Sequence, residues 1–179
     1  MERHQTEMSK TLFNNNILPL ADRMFRYAVS MLQNSAVAED IVQDSLLKIW
    51  DRRKTLNTIQ NTEAWAMRVV RNGCLDNIRA SRFTTFEQRH ENKLFVNNED
   101  TMVYQDQQKW FDEAINSLPD KQKEVFHLRE VECLTYYEIS EIMGISESDV
   151  KVNLHRARNK VRETMKKVDA YGVNRNIAG

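Results

Sequence analysis

A chain of 179 residues can bury one or two real cores, and 26 basic against 26 acidic side chains leave it with no net charge. Two cysteines without a CxxC spacing, Cys74 and Cys133, argue against a disulfide framework or a cysteine zinc site and fit a reducing, cytoplasmic compartment. Four glycines and two prolines leave no phosphate-cradling loop, no apolar run reaches the roughly 18–20 residues of a membrane span, and MERHQTEMSK lacks a signal peptide's apolar segment.

Helical spacing recurs along the whole chain and strand alternation is missing, so the sequence predicts an all-α protein. A first helix is expected over about 11–33, with Leu20, Met24, Phe25, Ala28 and Leu32 turned inward. Ser35 is expected to cap the next, AVAEDIVQDSLLKIWDRR, whose Glu39 and Asp40 suit the positive end of a helix. Its inner stripe reads Ala38, Ile41, Val42, Ser45, Leu46 and Ile49. Leu47 falls nearly opposite, among Asp40, Gln43, Asp44 and Asp51, with Trp50 at the edge of the stripe. One exposed leucine needs no explanation. Ringed by acids, it equally offers a docking surface for a basic partner protein.

After a polar loop at 55–61, a third helix is expected over about 62–82. Trp65, Val69 and Val70 anchor it, while Arg68, Arg71, Arg79 and Arg82 make it basic. Asn72 and Asp76 lie one turn apart. An asparagine turned inward needs a paired amide, supplied either by a neighbouring loop or by an unstacked base. The next stretch is polar, amide-rich and without a clean period, and reads as a tether. The chain therefore divides into 1–82, a linker at 83–109, and 110–179.

The second module starts near Trp110. Asn116 or Ser117 is placed to cap a helix entered by Leu118-Pro119, and Val125, Phe126, Leu128 and Val131 are expected to close its core. Thr135-x-x-Glu138 fits a capping box. Ile139, Ile142 and Met143 then give an apolar face, and Gly144 can take the left-handed conformation that ends a helix. Ser146-x-x-Asp149 starts another helix almost at once. Helices joined this tightly cross steeply, as a helix-turn-helix, and the second is placed to enter a DNA major groove. Its inner stripe is Val150, Leu154, Ala157 and Val161. Ser148, Val152, His155, Arg156 and Asn159 lie opposite, flanked by Lys151 and Arg162. Residues 151–167 hold seven Lys or Arg and one acid, which alone would also describe a solvated face. The two caps and the glycine turn favour DNA.

Charge is unevenly spread. Residues 65–82 carry four Arg and one Asp, and 151–179 carry eight bases and two acids, whereas 83–120 carry eight acids and three bases. Two basic patches separated by an acidic stretch suit two contacts with one polyanion.

In this order the segments resemble a bacterial sigma factor of the sigma-70 family, in its extracytoplasmic-function group, over about 11–82 and 110–167. AEDIVQDSLLKIW at 38–50 is similar to the segment by which these factors dock on the RNA polymerase clamp. W-x-x-R-V-V-R-N-x-x-x-D-x-x-R, from Trp65 to Arg79, is similar to the helix serving −10 recognition and melting. LPDKQKEVFHLREVECLTYYEIS with the basic helix after it is similar to the −35-binding domain.

The resemblance implies two small helical domains joined by a flexible linker, the second a helix-turn-helix domain. It implies a non-enzymatic initiation factor without cofactor or metal, whose partners are core RNA polymerase, promoter DNA and an anti-sigma factor, with no membrane insertion. Asp40, Gln43, Asp44 and Leu47, with Trp50 beside them, would contact the polymerase. Asn72 and the loop around Arg52 to Leu56 would hold a flipped non-template base, on a helix made basic by Arg68, Arg71 and Arg79. Lys151, Val152, His155 and Arg156, with Asn159 on the same face, would meet the −35 element. One departure is visible: this helix opens Ser148-Asp149-Val150-Lys151 where the family commonly has Gly-Thr-Val-Lys, and a carboxylate there both caps the helix and repels phosphate. A conventional helix-turn-helix regulator would need a two-fold self-association stripe, which is not found. A nucleic-acid enzyme would need paired carboxylates, metal ligands or a motif such as Gly-x-Ser-x-Gly or HExxH, and none can be assembled.

Overall fold

The computed structural model describes residues 2–84 and 110–176, with side chains over 7–81 and 110–166. Among these residues every regular element is helical. Most of the expected linker at 83–109, and the side chains of Arg82 and Lys167, lie outside the described residues. The chain separates into two compact units, one built on residues 1–94 with Tyr137–Gly144, the other on 95–136 with Ile145–Gly179.

The first unit contains α1 (Glu2–Asn16), α2 (Ala21–Leu32), α3 (Ser35–Asp51) and α4 (Thr62–Thr84). The single helix expected over 11–33 is broken by a 3-10 turn at Leu18–Leu20, with Pro19 in it. Proline lacks the amide an α-helix needs and its ring clashes with the preceding turn, so the helix cannot run through. The break resets the register. Ile17, Met24, Tyr27 and Ala28 are fully buried, Leu20 and Leu32 are half-buried, and Phe25, expected inside, is 37% exposed. The cap of α3 is Asn34 rather than Ser35: its Oδ1 accepts from the Val37 amide at 3.1 Å. Ala38, Val42, Ser45 and Ile49 are buried against α2 and α4, with Ile41 and Leu46 half-buried. Asn61 starts α4 by accepting from the Ala64 amide at 3.0 Å. Arg23 and Glu63 pair α2 with α4.

In the second unit, α5 (residues 110–116), α6 (Asp120–Phe126) and α8 (Glu147–Asn176) enclose Ala114, Leu118, Phe126, Ala157 and Val161. Asn116 and Ser117 do not cap α6. They close α5, where the Ser117 hydroxyl donates to the Ala114 carbonyl at 2.7 Å, and α6 begins after Pro119 without a side-chain cap. A π-helical turn follows at His127–Val131, closed by the Glu132 amide donating to the His127 carbonyl at 3.2 Å. The extra residue in that turn rotates Glu132 inward, to 5% exposure, and Val131 outward, to 51%. Val131 is therefore not part of the core; Val125, Phe126 and Leu128 are. After Cys133, at φ 55°, the chain enters α7 (Tyr136–Met143), so Thr135 stands at the cap position expected for it.

Candidate nucleic-acid and polymerase interfaces

Between α7 and α8 the chain turns on Gly144 at φ 66°, whose amide donates to the Ser140 carbonyl at 2.8 Å. A side chain there would strain the backbone, which is the reason for glycine. Ser146 then caps α8. Its Oγ accepts from the Asp149 amide at 3.1 Å while its hydroxyl donates to Asp149 Oδ2 at 2.8 Å. Both groups of Asp149 are thus turned onto the cap, and its carboxylate is drawn toward the helix start.

Burial of Val150, Leu154, Ala157 and Val161 fixes which side of α8 is offered to solvent. Lys151, Val152, His155 and Arg156 are exposed on it and Asn159 is half-buried. Arg158 is committed elsewhere: its Nε and Nη2 donate to Glu130 Oε1 at 3.0 and 2.6 Å. Lys151 has an unexpected neighbour. Its ammonium lies 5.6 Å from the Tyr136 ring centroid, and the Arg129 guanidinium lies 5.0 Å from the same ring. Arg129 is anchored by donating from Nη1 to the Leu134 carbonyl at 2.6 Å. Two cations around one tyrosine, each within cation–π range, make a compact positive site beside the helix. The sequence held no sign of it, because three separate segments supply its members.

On α3, Asp40, Gln43 and Asp44 are exposed and Leu47 is 62% exposed. Leu47 therefore lies outside the core of the unit, on the acidic side of α3. Trp50 differs. Its ring meets Phe13 edge-on at 5.0 Å and carries the Arg53 guanidinium 4.2 Å above it, so it joins α1 to the end of α3. Its ring is engaged inside the unit, not presented on the acidic face.

Arg53–Thr58 is a 3-10 turn, in which residues three apart eclipse one another. Leu56, expected to help hold a base, is only 3% exposed and packs in the core, so its side chain is not offered to a ligand. Its eclipsed neighbour Arg53 is likewise drawn inward, while Arg52, Lys54 and Asn57 are exposed. On α4, Arg68, Asn72 and Arg79 are exposed and Arg71 is half-buried. Arg79 pairs with Asp76 at 3.1 Å. No described helix is long and apolar enough to cross a membrane. Among the described residues no three His, Cys, Asp or Glu side chains are grouped to hold a metal ion.

The family model of sigma-70 region 2 matches residues 17–84, and that of sigma-70 region 4 matches 108–161. The extracytoplasmic-function RNA polymerase sigma factor SigF of Caulobacter vibrioides is 32% identical over 133 residues, 73% of this chain and 72% of its own length. RNA polymerase sigma factor SigV of Bacillus subtilis is 28% identical over 176 residues, 94% of this chain and 99% of its own. Among solved structures, the sigma factor RpoE in complex with the anti-sigma factor NepR, from Bartonella quintana, is similar at a TM-score of 0.71 and 25% identity. That likeness covers 86% of this chain and 96% of the other. The chain belongs to the sigma-70 family of RNA polymerase sigma factors, in its extracytoplasmic-function group, whose members are non-catalytic factors that direct the polymerase to promoters.

Proposed function

We propose that residues 1–82 dock on core polymerase and engage the −10 element, that 110–179 hold the −35 element, and that 83–109 tether the two. The observation that carries this reading is the outer face of α8, where Lys151, Val152, His155 and Arg156 stand exposed opposite a buried stripe. Base edges in the major groove are read by such side chains, and phosphates fix the register. Arg129, Tyr136 and Lys151 together suit one phosphate beside the groove, with two cations and a hydroxyl available to it. Asp149 opposes DNA less than its charge alone implies, because its carboxylate accepts from Ser146.

In the first module, Asp40, Gln43, Asp44 and Leu47 form the polymerase-docking face. Arg52, Arg68, Arg71, Asn72 and Arg79 serve the −10 strand, with Lys54 and Asn57 in place of the buried Leu56. Unstacking costs a few kcal/mol per base, and a site that hydrogen-bonds the extruded base offsets it. No covalent step is involved; binding energy does all the work. The complex of the Bartonella quintana relative with NepR supports an anti-sigma factor as a further partner, covering these surfaces in the cytoplasm.

Two variants separate the roles. Leu47→Asp is expected to abolish co-purification with core polymerase while the second module stays folded; wild-type co-purification would show that this face is not the docking face. Arg156→Ala is expected to cost about 1–3 kcal/mol of −35 affinity, and unchanged promoter occupancy would remove it from the contacts.

A further inference from the structure

A chain of side-chain hydrogen bonds runs along the exposed face of α8. Arg162 Nη1 donates to Asn159 Oδ1 at 3.2 Å, and Asn159 Nδ2 lies 2.9 Å from His155 Nε2. Positions 155, 159 and 162 share one helix face, so the three side chains follow one another along it. Chemistry gives the chain a direction. A guanidinium has only donors, so the amide oxygen of Asn159 must be the atom facing Arg162. That turns the amide nitrogen, itself only a donor, toward the ring. Nε2 must then accept, and a neutral imidazole accepting at Nε2 carries its proton on Nδ1.

We infer that Asn159 is a positioning residue, which with Arg162 holds His155 as the Nδ1–H tautomer and makes it a reader of acceptor edges in the −35 element. The inference rests on α8 being the −35 reader. With Nε2 occupied, the ring offers a base one donor and no acceptor. Guanine O6 and N7, adenine N7 and thymine O4 can receive that proton; the amino groups of cytosine and adenine cannot pair with it. Asn159 is half-buried while His155 and Arg156 are exposed, as suits a group that acts through its neighbour. Without the amide, the proton is free to move to Nε2 and the donor-only character is lost.

Nitrogen-15 NMR of the full chain reads which ring nitrogen of His155 is protonated. Nδ1 is expected in the wild type, with a shift toward Nε2 in Asn159→Ala and a return to Nδ1 in Asn159→Gln. A wild-type ring protonated on Nε2 overturns the inference. On promoter fragments randomised across −35 and bound with core polymerase, Asn159→Ala is expected to relax the preference at one position by about three- to tenfold, as for one hydrogen bond. In a His155→Ala background the same change is expected to do nothing more. An equal loss in both backgrounds would make Asn159 a DNA contact in its own right and overturn its positioning role. Absence of any −35 preference in the wild type would overturn the base-reading role together with the function it rests on, and would leave the tautomer result standing.

Discussion

Gly144 and Cys133 both hold left-handed backbone, at φ 66° and 55°, one on either side of α7. A Cβ on Gly144 would meet nothing within 4 Å, so an added methyl brings backbone strain without a clash. Gly144→Ala is expected to lower stability by about 1–2 kcal/mol, seen as a lower denaturant midpoint at unchanged slope, and Gly144→Asn by less. Cys133 carries the opposite expectation. Cys133→Gly removes left-handed strain of about 1–2 kcal/mol and adds about 0.5–1 kcal/mol of unfolded-chain entropy. A net gain of up to about 1.5 kcal/mol should appear as a raised midpoint, and a lowered one would show the cysteine's own packing to matter more. Only the first of these positions was legible, because a glycine following an apolar helical face announces a helix end, whereas a cysteine announces nothing. The hydrogen-bond chain through Asn159 was equally hidden: spacing placed it on the outer face but could not say what its amide bonds to.

Between elements, α3 and α4 approach one another closely at Gly73. A Cβ built on Gly73 would lie 3.0 Å from Ile41 Cγ2, tighter than most side-chain contacts, so Ile41 would have to give way by a few tenths of an ångström. Gly73→Ala is expected to cost about 1–3 kcal/mol by overpacking, offset by about 1 kcal/mol of helix propensity gained in the middle of α4. The coupling to Ile41 is measured by a double-mutant cycle with Ile41→Ala, in which the smaller partner should remove most of that cost. Full additivity would mean that the helices simply move apart. The stripes of α3 and α8 were readable because a period of 3.6 residues persists through them, and an inner stripe determines its opposite. The departures occur where that period fails. Pro19 interrupts an apolar pattern that otherwise runs on, the π turn moves the inward position from Val131 to Glu132, and a three-residue period buries Leu56.

Across the whole chain, zero net charge conceals separate basic and acidic stretches. Each phosphate contact on duplex adds only about 0.9 to the salt slope, so the few contacts proposed for this chain are expected to give weak binding by the chain alone. On the proposed function, specific engagement is expected when core polymerase presents both promoter elements at once and two weak contacts act together. The exposed faces of α3 and α8, proposed for docking and reading, were legible as outer faces for one reason: each lies opposite an apolar stripe on a single helix. The Arg129–Tyr136–Lys151 site was not, since no one periodicity spans its members. Run-off transcription with purified chain, bacterial core polymerase and a promoter library is the decisive experiment for promoter direction by this chain. Promoter-specific transcripts that require the chain and disappear with Leu47→Asp are expected; products no different from those of core polymerase alone would contradict it.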